Sequence, residues 1–331
     1  MASTRTILIT GGTAGLGYHA AITLARQYPT HTILLASRSD PSPSAASRIN
    51  TSLNQTNVTF LPLDLMSTSS IRTFVDTYAQ QNFPPLSALL LNAGLQFPAD
   101  TAQYTVEGIE KTFAVCHVGH ALLFSLLQPF FAEECRIVLT SSGTHDPAQR
   151  SGLPDAKYVS AERLAWPMEG TEDATVPGRQ RYASAKLANV LWGYALHRRF
   201  ERVNGVGEGK RGKKWTVVSF DPGLMPGTGL AREAGPVSQW VWNRILPRIM
   251  PLLRLLLFSS NIHTPLESGE ALAWLATAEE VRGKNGVYYE GRKKIRSSVD
   301  SYDEGKQEDL WAWTVKYLAR DGDERRQFEV V

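Results

Sequence analysis

The chain has 331 residues, 43% hydrophobic and 20% charged, enough to build a sizeable core as one large or two small α/β domains. Lys plus Arg number 35 against 32 Asp plus Glu, a balance that excludes a strongly basic nucleic-acid surface. Only Cys116 and Cys135 are present, which excludes a disulfide framework and points to a reducing, cytoplasmic setting.

The first apolar run, Thr6–Thr10, ends in Gly11-Gly12-Thr13-Ala14-Gly15-Leu16-Gly17. A strand followed by a glycine-rich turn that opens a helix leaves backbone N–H groups and a positive helix end facing a phosphate. Gly11, Thr13, Gly15, Leu16 and Gly17 are therefore candidate contacts for a dinucleotide, although the spacing differs from G-x-G-x-x-G. A helix is predicted over Leu16–Tyr28, then a strand over Thr32–Ala36 that ends in Ser37-Arg38. An acidic residue there would hold a ribose diol, whereas a guanidinium clamps a 2′-phosphate, so the charge predicts NADP rather than NAD.

The alternation continues with a helix over about Ser44–Asn54 and a strand over Val58–Leu63, which delivers Asp64-Leu65. A helix over Ser67–Gln81 leads to the strand Ala88–Leu91, which delivers Asn92-Ala93-Gly94. Both tripping points lie where ligands of open parallel sheets collect. Asp64 would accept from an adenine amino group, and Asn92 and Gly94 would shape a loop beneath the adenosine ribose. Turn chemistry explains either equally well. Helical spacing over Thr105–Phe131 precedes the strand Arg136–Ser141. Such alternation predicts a parallel sheet covered on both faces.

The fifth strand ends in Ser141-Ser142-Gly143, and a polar insert, Gly143–Pro177, follows. The helix predicted over Arg179–Glu201 then carries Tyr182 and Lys186 one turn apart on one face. A carbonyl that accepts hydride gains negative charge and must be protonated. A phenol serves poorly near neutral pH unless a neighbouring cation favours its ionised form, which Lys186 would do. A serine hydroxyl would hold the substrate oxygen. The Gly- and Lys-rich stretch Asn204–Lys214 reads as a surface loop, and the strand Trp215–Phe220 delivers Asp221-Pro222-Gly223.

Leu224–Leu266 interrupts the rhythm. Within it, Val237–Phe258 has Trp240, Trp242, Arg244, Arg248 and Arg254, and is expected to form a lid over an apolar pocket. An interfacial membrane helix is the less favoured reading, because Pro247 and Pro251 break it. No stretch reaches the roughly 18 uncharged apolar residues of a membrane span, the nearest being Ile245–Phe258, and no secretory leader is apparent. A strand at Gly286–Tyr289 and a helix near Gln307–Ala319 close the chain, the residues from about 291 to 331 forming a C-terminal extension.

Taken in order, the glycine loop, Asp-Leu, Asn-Ala-Gly, the strand-end serine, Tyr-x-x-x-Lys and Asp-Pro-Gly resemble the short-chain dehydrogenase/reductase family from about Thr4 to Tyr289. The chain looks most like the retinol dehydrogenase and light-dependent protochlorophyllide reductase branch. The phrases that carry this are Leu91-Asn92-Ala93-Gly94, His117-Val118-Gly119-His120, Asp221 through Leu230, and Ser297–Asp303 ahead of Leu310-Trp311. The resemblance implies a single doubly wound Rossmann domain with an inserted lid and an NADP(H) cofactor. It implies Ser142 as the substrate-polarising residue, with Ser141 as fallback, Tyr182 as general acid, and Lys186 as its tuner and a ribose contact. Pro222, Gly223 and Thr228 would line the nicotinamide. A bulky hydrophobic small molecule is the expected substrate, nucleic acid is not expected as a partner, and a homodimer is compatible with the family.

One departure stands out. The family commonly has Asn-His-x-Gly-His where this chain has Cys116-His117-Val118-Gly119-His120, and a thiol cannot replace an amide's paired donor and acceptor. Three readings remain open: a slower reductase, a proton relay rebuilt through water or His117, or a scaffold redirected to non-redox or sensing work. His117 and His120 stand three apart without a third ligand at a sensible spacing, so no metal is expected.

Overall fold

Each central strand alternates between two apolar faces, and this fixes the layers. In a computed structural model, described over residues 3–167, 177–204, 212–229, 232–251, 254 and 261–329, the strands join one eight-stranded sheet. They are β1 (Arg5–Thr10), β2 (His31–Ser37), β3 (Val58–Pro62), β4 (Leu86–Leu91), β5 (Phe131–Thr140), β6 (Lys214–Asp221), β7 (Val287–Glu290) and β8 (Lys293–Ile295). The order is β3-β2-β1-β4-β5-β6-β7-β8, parallel throughout except for the antiparallel β7–β8 edge. This is the doubly wound α/β architecture expected from the alternation.

Leu8, Leu89, Leu91, Ile137 and Leu139 face one side of the sheet, and Ile7, Ile9, Ala88, Leu90 and Val138 face the other. On the second side lie α1 (Gly15–Gln27) and α2 (Ala45–Leu53). On the first lie α3 (Thr68–Gln80), α4 (Gly119–Leu127) and α5 (Gly178–Val203). Two further helices complete the layers. One, α6 (Pro265–Thr277), packs beside α1, and the other, α7 (Glu304–Leu318), packs on α5.

Several elements differ from the sequence reading. The helix expected from Thr105 starts only at Lys111, because Tyr104 and Glu110 pair as an isolated bridge and Glu110 caps the Phe113 N–H at 2.8 Å. A π-helical turn, Ala114–Val118, then inserts before α4. The polar strand β8 has no apolar run to announce it. The sequence reading passed over α6, although Thr264 and Glu267 form a reciprocal capping box at its start. Parts of the polar insert (168–176), of the Gly/Lys loop (205–211) and of the expected lid (230–231, 252–253, 255–260) lie outside the described residues.

The comparison of apolar stretches also needs correction. Lys111–Phe130, not Ile245–Phe258, is long and apolar enough to cross a membrane, and 83% of its most apolar 18-residue window is buried in this fold. It is a core helix. Its two histidines are fully buried: His117 Nε2 meets Thr314 Oγ1 at 2.9 Å, and His120 Nε2 meets Thr10 Oγ1 at 2.9 Å. Burial pushes both pKa values from 6.5 down to about 3; His120 adds to the effect on His117, whereas for His120 the bond to the Cys116 carbonyl opposes it and Lys186 adds to it. Unfolding therefore takes up protons below pH 6.5, and stability is lost as pH falls from 6.5 toward 3. The pair adds a slope of about 2.7 kcal/mol per pH unit in that window. Urea midpoints measured from pH 7 to pH 4 should show it, and His117→Gln should remove about half of the slope. An unchanged slope in that variant would contradict the assignment.

Candidate active site

The carboxyl ends of β1, β4, β5 and β6 open into a cavity of about 1190 Å³. Every residue expected to meet a cofactor or substrate borders it, from Gly11 in the first loop to Thr228 beyond β6. Close backbone approach shapes its floor. Gly11 adopts φ +68°, and a Cβ there would lie 3.2 Å from Ala93 Cα, so the glycine turn rests directly on the Asn92-Ala93-Gly94 loop. A Cβ on Gly17 would collide with the Gly11 carbonyl and come within 2.8 Å of Asn92 Nδ2. Ala14 caps α1 without a side-chain bond, and Thr13 reaches across to the Ser39 carbonyl.

Asn92 is first a brace. Its Nδ2 donates to the Thr10 carbonyl at 2.8 Å, joining β4 to β1, while its Oδ1 is buried without a partner among the described residues. Asp64 Oδ1 accepts from the Met66 N–H at 3.0 Å, the turn chemistry anticipated as an alternative. Leu65 packs against Gly119 of α4, where any side chain would strike the Leu65 carbonyl. At the end of β2, Ser37 Oγ is buried without a partner among the described residues, and Arg38 is exposed at the rim.

The catalytic candidates meet at the end of β5. Lys186 is almost fully buried, and its Nζ donates to the Thr140 carbonyl at 3.0 Å, where Asn189 Nδ2 also donates at 3.1 Å. The same Nζ lies 5.5 Å from the Tyr182 ring centroid. Ser141 Oγ turns inward to the Lys186 carbonyl at 2.8 Å, which removes it as the substrate-polarising serine. Ser142 borders the cavity beside Tyr182, and its Oγ accepts from the Thr144 N–H at 3.3 Å.

The electrostatics correct one expectation. Burial raises the Tyr182 phenol well above its usual range, Cys116 and Asp221 add to this, and only the Ser142 hydroxyl opposes it. Desolvation dominates, so Tyr182 is a protonated phenol at neutral pH. The relay through His117 also fails. That ring stacks on Phe113 and binds Thr314, on the far side of the helix from the cavity. Cys116 does border the centre, with Sγ 3.9 Å from the Leu95 carbonyl and 4.0 Å from a Cβ built on Gly94.

Sequence reasoning also passed over several side chains here. Asp221 is buried and accepts from the Gly223 N–H at 2.9 Å and from Asn261 Nδ2 at 2.8 Å, which holds the Pro222-Gly223 turn. Gly223 sits at φ +78°, a conformation that favours glycine. Arg232 borders the cavity near Arg38, and after burial the like charge of Arg38 is the main cause that lowers its pKa. No spacing rule links residues 38 and 232. Trp242 from the expected lid lines the cavity, its Nε1 donating to the Thr228 carbonyl at 3.0 Å. Among the described residues, no cluster of His, Cys, Asp and Glu is set to hold a metal.

A buried lysine, a strand-end serine and a tyrosine one helical turn before the lysine, all facing a glycine-floored cleft, define an α/β oxidoreductase-like centre. The family model for short chain dehydrogenases matches residues 5–151. Polyprenol dehydrogenase of Danio rerio is 30% identical over 310 residues, spanning 92% of this chain and 83% of that protein. Protochlorophyllide reductase A of Hordeum vulgare is 29% identical over 331 residues, spanning 94% and 80%. The NADPH-bound carbonyl reductase from chicken fatty liver has the same fold, with a TM-score of 0.58 at 14% identity over 89% of this chain and 99% of that one. The chain belongs to the short-chain dehydrogenase/reductase family.

The close packing of the glycine loop yields a direct test. Gly17→Ala forces the loop off the Asn92 brace, so its unfolding free energy in urea should fall by about 1–3 kcal/mol. Wild-type stability would show that the loop has room that this packing denies.

Proposed function

We propose that this protein is an NADPH-dependent oxidoreductase that reduces a carbonyl, or oxidises the matching alcohol, on a bulky hydrophobic small molecule. The observation that carries the reading is the meeting of Ser142, Tyr182 and Lys186 on the wall of a cavity whose floor is the glycine loop. The residues fit a dinucleotide. Gly15, at φ +54°, has open space where a Cβ would stand, and Ser37 Oγ, Asn92 Oδ1 and Thr140 Oγ1 are buried polar atoms without partners among the described residues.

In this reading the loop from Gly11 to Gly17 takes the pyrophosphate at the N-terminus of α1. Asp64 and Leu65 meet the adenine, Asn92-Ala93-Gly94 the ribose beside it, and Pro222, Gly223 and Thr228 the nicotinamide. The nicotinamide, when bound, supplies the hydride. Ser142 holds the substrate oxygen, and Tyr182 donates the proton. A phenol kept protonated by burial suits a donor, because the oxygen it protonates becomes strongly basic as hydride arrives. Lys186, fixed by Thr140, offers positive charge beside the ionised phenol that results. Leu95, Leu153, Leu224, Met225, Trp242 and Ile262 supply the apolar walls that support a hydrophobic substrate and a lid role for the Trp242 segment. A cytoplasmic setting and a homodimer accord with this reading and remain part of the proposal.

Cys116 supports a second reading, an NADP(H)-binding protein with isomerase, cyclase or sensing activity, because no amide completes a relay at that position. Tyr182→Phe separates the two. It should abolish NADPH-linked turnover while leaving NADPH affinity within a few-fold, and full activity in the variant would refute the assignment. A wild-type protein that binds NADPH but consumes none across a carbonyl panel would favour the second reading.

The cofactor preference rests on Arg38 and Arg232. Both guanidiniums border the cavity, the charge of Arg38 disfavours that of Arg232, and a 2′-phosphate would offset this repulsion. Arg38→Ala should weaken NADPH binding by about 10- to 100-fold, the loss of a charged hydrogen bond or two, and leave NADH binding nearly unchanged. Fluorescence titration with both cofactors checks it, and equal losses would remove the NADP assignment.

A further inference from the structure

His145 is fully buried, yet it has no part in the chemistry above. It closes the 3-10 turn Gly143–His145, which starts from Ser142. The Ser142 carbonyl accepts twice from this one residue, from its backbone N–H at 3.1 Å and from Nδ1 at 2.7 Å. Across the ring, Nε2 lies 3.1 Å from the Ser298 backbone nitrogen.

These partners leave one tautomer. A carbonyl can only accept, so Nδ1 carries the hydrogen. A peptide N–H can only donate, so Nε2 is bare. A protonated ring would set N–H against N–H at Ser298. Burial lowers the ring's pKa against the opposing bond to Ser142 and the charges of Asp146 and Asp221, in keeping with a neutral ring. Tyr288 of β7 lies against it, the ring centroids 4.9 Å apart and tilted by 40°, with its hydroxyl 3.4 Å from Nδ1, farther than the Ser142 carbonyl.

Ser298 is itself held fast. Ser301 Oγ donates to its carbonyl at 2.6 Å, and Ser301 Oγ also bonds Ser297 Oγ at 2.7 Å. Ser297 Oγ meets Tyr194 OH of α5 at 2.7 Å, and Gln307 Nε2 donates to the Ser301 carbonyl at 2.8 Å. The C-terminal segment is thereby joined through the His145 imidazole to the turn that bears Ser142.

We propose that His145 is a positioning residue: held by the Ser298 amide at one nitrogen, it fixes the Ser142 turn with the other, and so holds the Ser142 hydroxyl on the cavity wall that Tyr182 shares. The consequence for catalysis rests on the reductase reading, while the clamp itself does not.

Two substitutions divide the ring's functions. His145→Asn retains a donor where Nδ1 stood, and His145→Gln retains an acceptor where Nε2 stood. With a carbonyl that the wild type reduces, His145→Asn should keep kcat within a few-fold. His145→Gln should lower kcat by up to about 100-fold with KM little changed, as expected when a reacting group is misaimed. The reverse ranking, or wild-type kcat in both variants, would overturn the proposal. Nitrogen-15 spectra of the wild-type ring provide a readout that needs neither a folded variant nor turnover. A hydrogen on Nδ1 with a bare Nε2 supports the clamp, and a hydrogen on Nε2 sinks it. A protein that reduces no carbonyl but shows the expected tautomer would refute the reductase reading alone.

Discussion

The buried Lys186 ammonium, bonded to the carbonyl of Thr140, is the contact on which the site depends. A cation sealed from water is costly unless a strong acceptor meets it, and the last carbonyl of β5 is that acceptor. The bond pins α5 against the strand end. Because Tyr182 precedes Lys186 by one turn and Ser142 follows Thr140 by two residues, one hydrogen bond brings all three side chains to the same wall. Asn189 shares the carbonyl from one turn further along the helix, so the anchor has two points and resists rotation of α5.

The sheet provides the rest of the frame. Its parallel strands end together, and the loops at those ends interlock through backbone rather than through long side chains. Gly11 lies on Ala93, Gly17 beneath Gly11, and Gly119 against Leu65. Glycine at each point lets two chains approach to a distance that a methyl group would forbid. Asn92 and Asp221 then tie neighbouring loops with their carboxamide and carboxylate. The cleft is therefore rigid at its floor, while its rim draws on the Trp242 segment and the residues after β8.

Burial, rather than pairing, governs the chemistry of the phenol. The spacing of Tyr182 and Lys186 suggests a cation depressing a neighbouring hydroxyl, but the folded environment removes water from both and raises the phenol instead. The outcome is a proton donor with a charge waiting nearby, which is a different device from a pre-ionised base. The same environment explains His117. It adjoins the cysteine in sequence, but neighbouring residues on a helix point in different directions, and the packing of α7 places its ring in the core.

Strand and helix alternation, the loop at Gly11–Gly17 and the spacing of Tyr182 and Lys186 were legible in the sequence because each depends on neighbours within a few residues. Backbone propensity, hydrophobic period and one-turn geometry operate at that range. The choice between Ser141 and Ser142, the proximity of Arg38 and Arg232, the service of Asp221 to Gly223 and Asn261, and the link from His145 to Ser298 belong to tertiary structure alone. They join positions up to 194 residues apart or depend on which way one hydroxyl turns, and no local pattern records such contacts. Desolvation is of the same kind: the chain states which groups can ionise, but only the packed fold decides how much water each one keeps.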